Sequence, residues 1–441
     1  MRVVVVGAGM AGLTATRCLR QHGVHVDLIE GGSRAGGRAR TVRAPFVDGQ
    51  YVESGAEWVD TDHRRMRELL DRHGLQLLGE GQEWTTVRRL LFRDGALLDP
   101  TQIRSTDPAV DADLERYESA FVTIADGIAD PARPDLHPQA AVHDSLSMGD
   151  VALQADLGAL AQLFARRNSE GEFAAEQAEV SALFVAQQRA QMAAHGIDQV
   201  VRAHRVDGGL QRLVDAMIAD IDVPIAFDEM LQRVSWRADG VEMVTSRRTL
   251  HADCVVLACS LVPLRGVQFD PPLPAPLRAA IDHLGYGAIT KTALQYPQRT
   301  WPSGYANTSL DSQRIYEPTI DQPGVSGVLM AYIGGDGGRA QAPLAEDERM
   351  NRAATDIETM YHLGDAPLHG FSRAWSGQPR YGGSYAVYQP GQVTAHWQVL
   401  REPCGRIWLA GEHAATWTGY LEGAVESGER VAAQITDTRI A

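Results

Sequence analysis

The sequence predicts an α/β protein in which a parallel-sheet nucleotide-binding domain is joined to a second domain of mixed sheet and helices. Three observations carry this. Val3 to Val6 form a β-branched run leading into Gly7-Ala8-Gly9-Met10-Ala11-Gly12, with glycines at Gly-x-Gly-x-x-Gly spacing. The α/β pattern returns from Val206 and includes the almost wholly apolar stretch Asp253 to Cys259. A last strand at Arg406 to Glu412 then feeds a closing helix from Gly419 to Ile435. Continuous apolar runs of this kind suit parallel strands covered on both faces.

The opening unit reads as strand, turn, helix, strand. Leu13 to Gln21 have helical character, Gly23 ends the helix, and Val24 to Ile29 form the second strand, closed by Glu30. Gly7 permits the tight turn, Gly9 lets backbone approach a pyrophosphate, and Gly12 lets the helix pack on the strand. Helix-start amides and the positive end of the helix dipole favour the phosphates. The Glu30 carboxylate is placed to accept bonds from both ribose hydroxyls.

Bulk properties narrow the class. The 441 residues exceed one compact core, so two domains are expected. A net charge of −15 argues against nucleic acid as a partner. Cys18, Cys254, Cys259 and Cys404 lack zinc spacing and read as thiols in a reducing compartment. The chain enters its first strand at once and no apolar run reaches membrane-spanning length, so a cytoplasmic enzyme is expected. Lys291 is the single lysine among 41 Lys and Arg residues, which suggests a position where guanidinium will not serve.

Further along, Gly31-Gly32-Ser33-Arg34-Ala35-Gly36-Gly37-Arg38 is a glycine-rich stretch in which Arg38 could donate to a diphosphate. Val52 to Asp60 read as a short strand and glycine turn, and Asp62 to His73 as an amphipathic helix. Residues 75 to 204 look mainly helical, with two strand-like pieces between Trp84 and Leu98 and helices at Asp111 to Ala129, Leu153 to Arg166 and Glu172 to Ala194. After the prolines at 271, 272, 274 and 276, Gly287 to Tyr296 form a strand carrying Lys291. Val325 to Ile333 and His369 to Trp375 are further strands, with a helix at Glu346 to Leu363 between them. Gly423 and Gly428 in the closing helix cost stability unless something packs against its backbone; a cofactor at the helix start would account for both.

Taken together, the N-terminal unit with Glu30, Gly36-Gly37-Arg38, Gly55-Ala56-Glu57-Trp58, Ala410-Gly411-Glu412 and Gly419 to Arg430 resemble the flavin-containing amine oxidases. That family includes monoamine, polyamine and L-amino-acid oxidases. The resemblance runs end to end and implies a Rossmann-like, glutathione-reductase-like FAD-binding domain with a substrate domain of mixed sheet plus helices. It implies an FAD domain assembled from residues 1–80, 205–265 and 395–441. Residues 81–204 and 266–394 then form the substrate domain.

It also implies roles. Glu30 binds ribose, Arg38 and Glu412 lie near the diphosphate and ribityl chain, and Val234 offers its backbone to adenine. Gly55 to Trp58, Gly411, Gly419, Tyr420 and Leu421 lie beside the flavin, and Lys291 falls on the lysine that reaches flavin N5 through a water. Arg380-Tyr381-Gly382-Gly383-Ser384-Tyr385 and Thr418-Gly419-Tyr420 match the segments of an aromatic cage, making Tyr385 and Tyr420 its candidates. Ser384 replaces the cysteine that tethers flavin in monoamine oxidases, so FAD is expected to be non-covalent.

The reaction implied is oxidation of a C–N bond: hydride leaves the carbon next to an amine or amide nitrogen for flavin N5, an imine forms, and O2 is reduced to H2O2. The Gly-x-Met-Arg stretch of L-amino-acid oxidases is replaced by Gly55 to Trp58, which lowers amino acids as substrates; Arg380 is the residual carboxylate clamp. Glu57 and Asp60 resemble acids that draw substrate nitrogen in polyamine oxidases, and an acid near a cavity mouth favours a cation, solvated turn carboxylates being the plain alternative. A larger biosynthetic amine or amide is a further expectation. An L-amino-acid oxidase, a C–C desaturase of the phytoene desaturase or protoporphyrinogen oxidase type, and a non-catalytic flavoprotein stay open. No metal, nucleic acid or membrane span is expected, and a homodimer is left open.

Overall fold

A computed structural model describes residues 1–84, 86–194 and 201–437. At its centre is a five-stranded parallel sheet in the order Ile225–Ala226, His25–Ile29, Arg2–Val6, Cys254–Leu257, Ile407–Leu409. Its strands come from three distant stretches of chain. Val3, Val4, Val5 and all four residues of Cys254–Leu257 are fully buried, as strands covered on both faces must be. Strand order runs one way from Arg2–Val6 to His25–Ile29 and the other way to Cys254–Leu257. The carboxyl ends of these strands therefore part at a switch point, where open α/β sheets bind ligands. Gly7 stands there with φ +111°, and a side chain on it would meet the Ala258 carbonyl oxygen at 2.7 Å.

Two helices cover one face together. The helix Met10–Gln21 packs along Leu421–Asp437 so closely that a Cβ on Gly428 would meet the Ala11 carbonyl at 2.5 Å. A Cβ on Gly423 would meet the Trp417 carbonyl at 1.9 Å. Protein backbone, rather than a cofactor, thus accounts for both glycines of the closing helix. On the sheet's other face, where Val4, Val255 and Leu257 share a core cluster with Val234, Val241 and Leu250, lies a four-stranded sheet ordered Thr249–Ala252, Gly240–Thr245, Leu231–Arg237, Gln268–Asp270.

The second large sheet has seven strands, ordered His369–Ala374, Thr290–Tyr296, Gly327–Ile333, Arg314–Tyr316, Tyr305–Thr308, Arg89–Arg93, Ala96–Leu98. Its pairings are antiparallel except where Tyr305–Thr308 runs parallel to Arg89–Arg93. Side chains alternate along Thr290–Tyr296. Leu294 and Tyr296 join Ile357 and Met360 of the helix Glu346–Tyr361 in one core cluster. Lys291 and Ala293 take the opposite face, and Ala293 joins a separate cluster with Val52.

Two expected helices are broken. Leu153 to Arg166 is two helices, Met148–Gln154 and Ala159–Asn168, separated by Asp156 in a left-handed conformation at φ +49°. In Glu172 to Ala194 only Ala182–Ala194 is α-helical. Ala174 turns left-handed at φ +58°, and its carbonyl accepts the amides of Ala288 and Gly335 instead of continuing a helix. Leu77–Glu83 is a strand that pairs with Arg202–Val206, which also pairs with Val59–Asp60. Among the described residues no cysteine is in a disulfide and no helix is long and apolar enough to cross a membrane.

Candidate active site

The nucleotide side is built from turns whose polar groups converge. Glu30 accepts the amides of Ala8 at 2.8 Å and Gly32 at 2.7 Å, which pins the first glycine turn to the end of the second strand. The Gly36 amide bonds the Ala8 carbonyl, bringing Gly37 over the helix start, where a Cβ on Gly37 would lie 3.4 Å from Gly9 Cα. Gly12 is fixed by contact, since a side chain there would strike the Gly7 carbonyl at 1.8 Å. Val234 is fully buried between Met243 and Phe269 in the four-stranded sheet. A few residues upstream, Asp228 and Glu229 bond their amides to Gly32 and Glu30.

Arg38 reaches across the chain. Its Nη1 donates to Glu412 Oε1 at 2.7 Å and to the Ser384 carbonyl at 2.8 Å. Glu412 Oε2 in turn accepts the Gly419 amide at 3.0 Å. One half-buried ion pair therefore ties the Gly36-Gly37-Arg38 turn to the segments carrying Tyr385 and Tyr420. On its other side, Arg38 accepts the Ala56 amide through its carbonyl at 3.1 Å, linking this turn to Gly55 to Trp58.

Lys291 lies over that last turn. Its Nζ donates to Glu57 Oε2 at 2.7 Å, the Gly55 carbonyl at 2.9 Å and the Glu53 carbonyl at 3.3 Å. Glu57 is itself shared, accepting Arg205 Nε at 2.7 Å and the Tyr316 hydroxyl at 2.6 Å. Burial alone would push the Glu57 carboxyl up, but Lys291, Arg205 and these hydrogen bonds hold it down at about 2. Glu57 is only 4% exposed, so it is not an acid at a cavity mouth and not a solvated turn residue. Trp58 carries the Arg205 guanidinium over its ring at 4.0 Å.

The candidate cage residues meet beyond Lys291. Tyr332 lies 5.6 Å from Lys291 Nζ, and its hydroxyl is 3.4 Å from that of Tyr385. A Cβ on Gly419 would lie 3.5 Å from the Tyr385 ring, so the Tyr385 and Tyr420 segments touch. Burial raises both phenols well above the ordinary range, which keeps them neutral. Tyr420 packs edge-on against Trp417 and His63, and His63 Nε2 lies 3.8 Å from Asp60 Oδ2. Burial, followed by the charge of Asp62, pushes the Asp60 carboxyl up to about 7.

Sequence reasoning missed Arg205, Tyr316, Tyr332 and His63. Arg205 alone left a signal, a cation on an inward position of a strand whose neighbours Ala203 and Val206 are buried. Arg380 is exposed, and its Nη1 lies 3.4 Å from a Cβ built on Gly32. It therefore sits at the Glu30 end and is withdrawn as a carboxylate clamp.

The residues suit a dinucleotide with a flat ring. A Cβ on Gly9 would meet nothing within 4 Å, and among the described residues no side chain caps the adjoining helix start, which suits a phosphate there. Among the described residues Ser384 Oγ, beside the Arg38 contact, is buried without a hydrogen-bond partner. The family described as flavin containing amine oxidoreductase matches residues 10–436. The chain belongs to that family.

This flavin-containing amine oxidoreductase is 28% identical over 453 residues to amine oxidase [flavin-containing] A of Bos taurus, covering 98% of this chain and 84% of the relative. Its fold is shared with wild-type putrescine oxidase bound to putrescine, at TM-score 0.87, 23% identity and 99% coverage of both chains. Cyclohexylamine oxidase from Brevibacterium oxydans matches equally, at TM-score 0.87, 22% identity and 99% of both chains. The chain is thus an oxidoreductase acting on C–N bonds, and its cofactor is FAD. The Ser384 hydroxyl cannot form a thioether with it. Acid precipitation of the loaded enzyme should leave a colourless pellet with all flavin in the supernatant; a yellow washed pellet would show a covalent bond.

Proposed function

We propose that the chain oxidises an amine at the carbon bearing nitrogen, giving an imine, and that O2 is reduced to H2O2. The observation supporting this most strongly is the placement of the sole lysine, buried over the Gly55 turn and one ring away from Tyr385. FAD, when bound, supplies the acceptor for the hydride and returns the electrons to O2. In this reading residues 1–80, 205–265 and 395–441 hold FAD, and 81–204 with 266–394 form the substrate side. Glu30 faces the ribose, Val234 the adenine, and Arg38 with Glu412 the diphosphate and ribityl chain.

Lys291, oriented by Glu57, holds a water and places positive charge where oxygen is reduced. Tyr385 and Tyr420, as neutral phenols, present electron-rich faces to the amine and exclude water from it. Asp60 sits behind Tyr420 through His63 and draws the cationic end of the substrate. Amines are favoured over amino acids because Arg380 lies at the wrong end of the cofactor. Larger biosynthetic amines or amides belong to the same class.

Peroxide formation across a panel of monoamines, short diamines and amino acids, with mass spectrometry of products, tests the reading. Aldehyde and peroxide in equal amounts from an amine support it. Double-bond formation without peroxide would move the chain to the desaturases.

Asp60 adds a pH signature. Because burial holds its proton to about 7, its charge is present above that pH and absent below. KM for a short diamine should fall by roughly tenfold, about 1.4 kcal/mol, as pH rises through 7. Asp60→Asn should flatten that dependence, measured by initial rates from pH 6 to 8.

A further inference from the structure

Lys291 is one member of a row. Across the seven-stranded sheet it stands opposite Tyr332, and Tyr332 stands opposite Arg314. Residues directly opposite one another point to the same face of a sheet. Arg314 therefore shares the face of Lys291 and Tyr332, while its neighbour Ile315 goes to the core on the other face with Leu294 and Ile357. Neighbouring strands lie about 4.8 Å apart, which puts the Arg314 backbone roughly 10 Å from that of Lys291, just beyond Tyr332. The guanidinium lies against Gly171, where an added Cβ would strike Arg314 Nη1. The Gly171 carbonyl accepts the hydroxyls of Tyr332 at 3.3 Å and Tyr385 at 3.4 Å, so this cation stands one residue away from the cage.

What Arg314 lacks is an acid. Its Nε donates to Asn307 Oδ1 at 3.2 Å and its Nη2 to the Arg167 carbonyl at 3.1 Å, both neutral acceptors. Among the described residues no carboxylate pairs with it, and Nη1 has no acceptor yet is not sealed from solvent. The acids flanking Gly171 are engaged elsewhere, Glu170 by Arg166 and Arg167, and Glu172 by Arg189. Burial holds the Arg314 guanidinium below its ordinary range, as expected of a half-buried cation without a counter-ion. A guanidinium still stays charged at neutral pH. Leaving such a charge unmatched is costly unless an anion comes to it.

We propose, resting on the amine-oxidase reading above, that the substrate carries a carboxylate at its far end, as an ω-amino acid does, and that this carboxylate accepts from Arg314 Nη1 while the nitrogen-bearing carbon lies between Tyr385 and Tyr420. Two strand spacings match the length of a short ω-amino acid such as 5-aminopentanoate. The carboxylate of an α-amino acid, held on the carbon that loses hydride, would stop short of Arg314.

Titration of the FAD-loaded enzyme with pentanoate and its neutral isostere pentanamide, read by the change in flavin absorbance, tests this without turnover. Pentanoate should bind at least tenfold more tightly than pentanamide. In turnover, kcat/KM for 5-aminopentanoate should exceed that for pentylamine, and the ratio of the two should fall at least tenfold in Arg314→Gln. A general loss of folding or flavin would lower both rates and leave their ratio in place. Absence of pentanoate binding, equal affinity for the amide, or a ratio that survives Arg314→Gln would overturn the proposal. Peroxide formed from pentylamine alongside any of these would leave the amine-oxidase reading standing.

Discussion

Lys291→Met should lower turnover of a primary amine by roughly a hundredfold or more, the scale of removing one preorganised charge from a water-poor site. The loss follows from what surrounds Nζ. Its three acceptors, the Gly55 and Glu53 carbonyls and Glu57, come from the turn that also bonds Arg38, so no neighbouring donor replaces it. Stability should fall as well. Removing one member of a buried pair costs about 3–5 kcal/mol in general. Here Arg205 and Tyr316 still hold Glu57, so about half that is expected. Initial rates and thermal midpoints of the loaded variant read the two effects separately. As the chain has one lysine, amine-directed acetylation read by mass spectrometry adds a check: native protein should be modified only at its N-terminus, and Lys291 only after unfolding.

Glu412→Ala should abolish retention of FAD. That carboxylate is 5% exposed and serves Arg38, the Gly419 amide and the Ala386 amide at once. Without it Arg38, half-buried, keeps only the Ser384 carbonyl as acceptor, and the Tyr385 and Tyr420 segments lose their shared anchor. Because Arg38 is only half-buried, a destabilisation of about 2 kcal/mol is expected, below the range for a fully buried pair. The flavin-to-protein ratio after desalting measures the first effect and the thermal midpoint of the apoprotein the second. Retention of full flavin with an unchanged midpoint would remove Arg38 and Glu412 from the account.

What the sequence disclosed follows from how local each signal is. The strand Arg2–Val6, its glycine turn and Glu30 lie within thirty residues and follow short-range rules, so they were readable in order. The Cys254–Leu257 and Ile407–Leu409 strands were readable because burial on both faces makes them wholly apolar. Lys291 stood out by being alone. Its pairing did not, because Lys291 lies 234 residues from Glu57 and Glu57 lies 148 from Arg205, and nothing in any of these neighbourhoods announces the contacts.

The strands Tyr305–Thr308 and Arg314–Tyr316 escaped notice since they are three or four residues long and contain Asn, Thr and Arg. The helix break at Ala174 depends on amides from Ala288 and Gly335, which only the tertiary fold brings near. For the same reason Gly423 and Gly428 pointed to a cofactor when the close neighbours were Trp417 and Ala11. Glu57 is neither an acid at a cavity mouth nor a solvated turn carboxylate, as acids in turns ordinarily are, because Lys291 and Arg205 hold it inside.

The most direct test of the central claim, that Lys291, Tyr385 and Tyr420 frame a flavin working on amines, is anaerobic mixing of the loaded enzyme with a short primary amine. Oxidised-flavin absorbance should vanish and return on admission of O2 with an equal yield of H2O2, and Lys291→Met should slow the return. A flavin that stays oxidised with every amine tried, or a purified chain that is colourless and takes up no FAD, would contradict it.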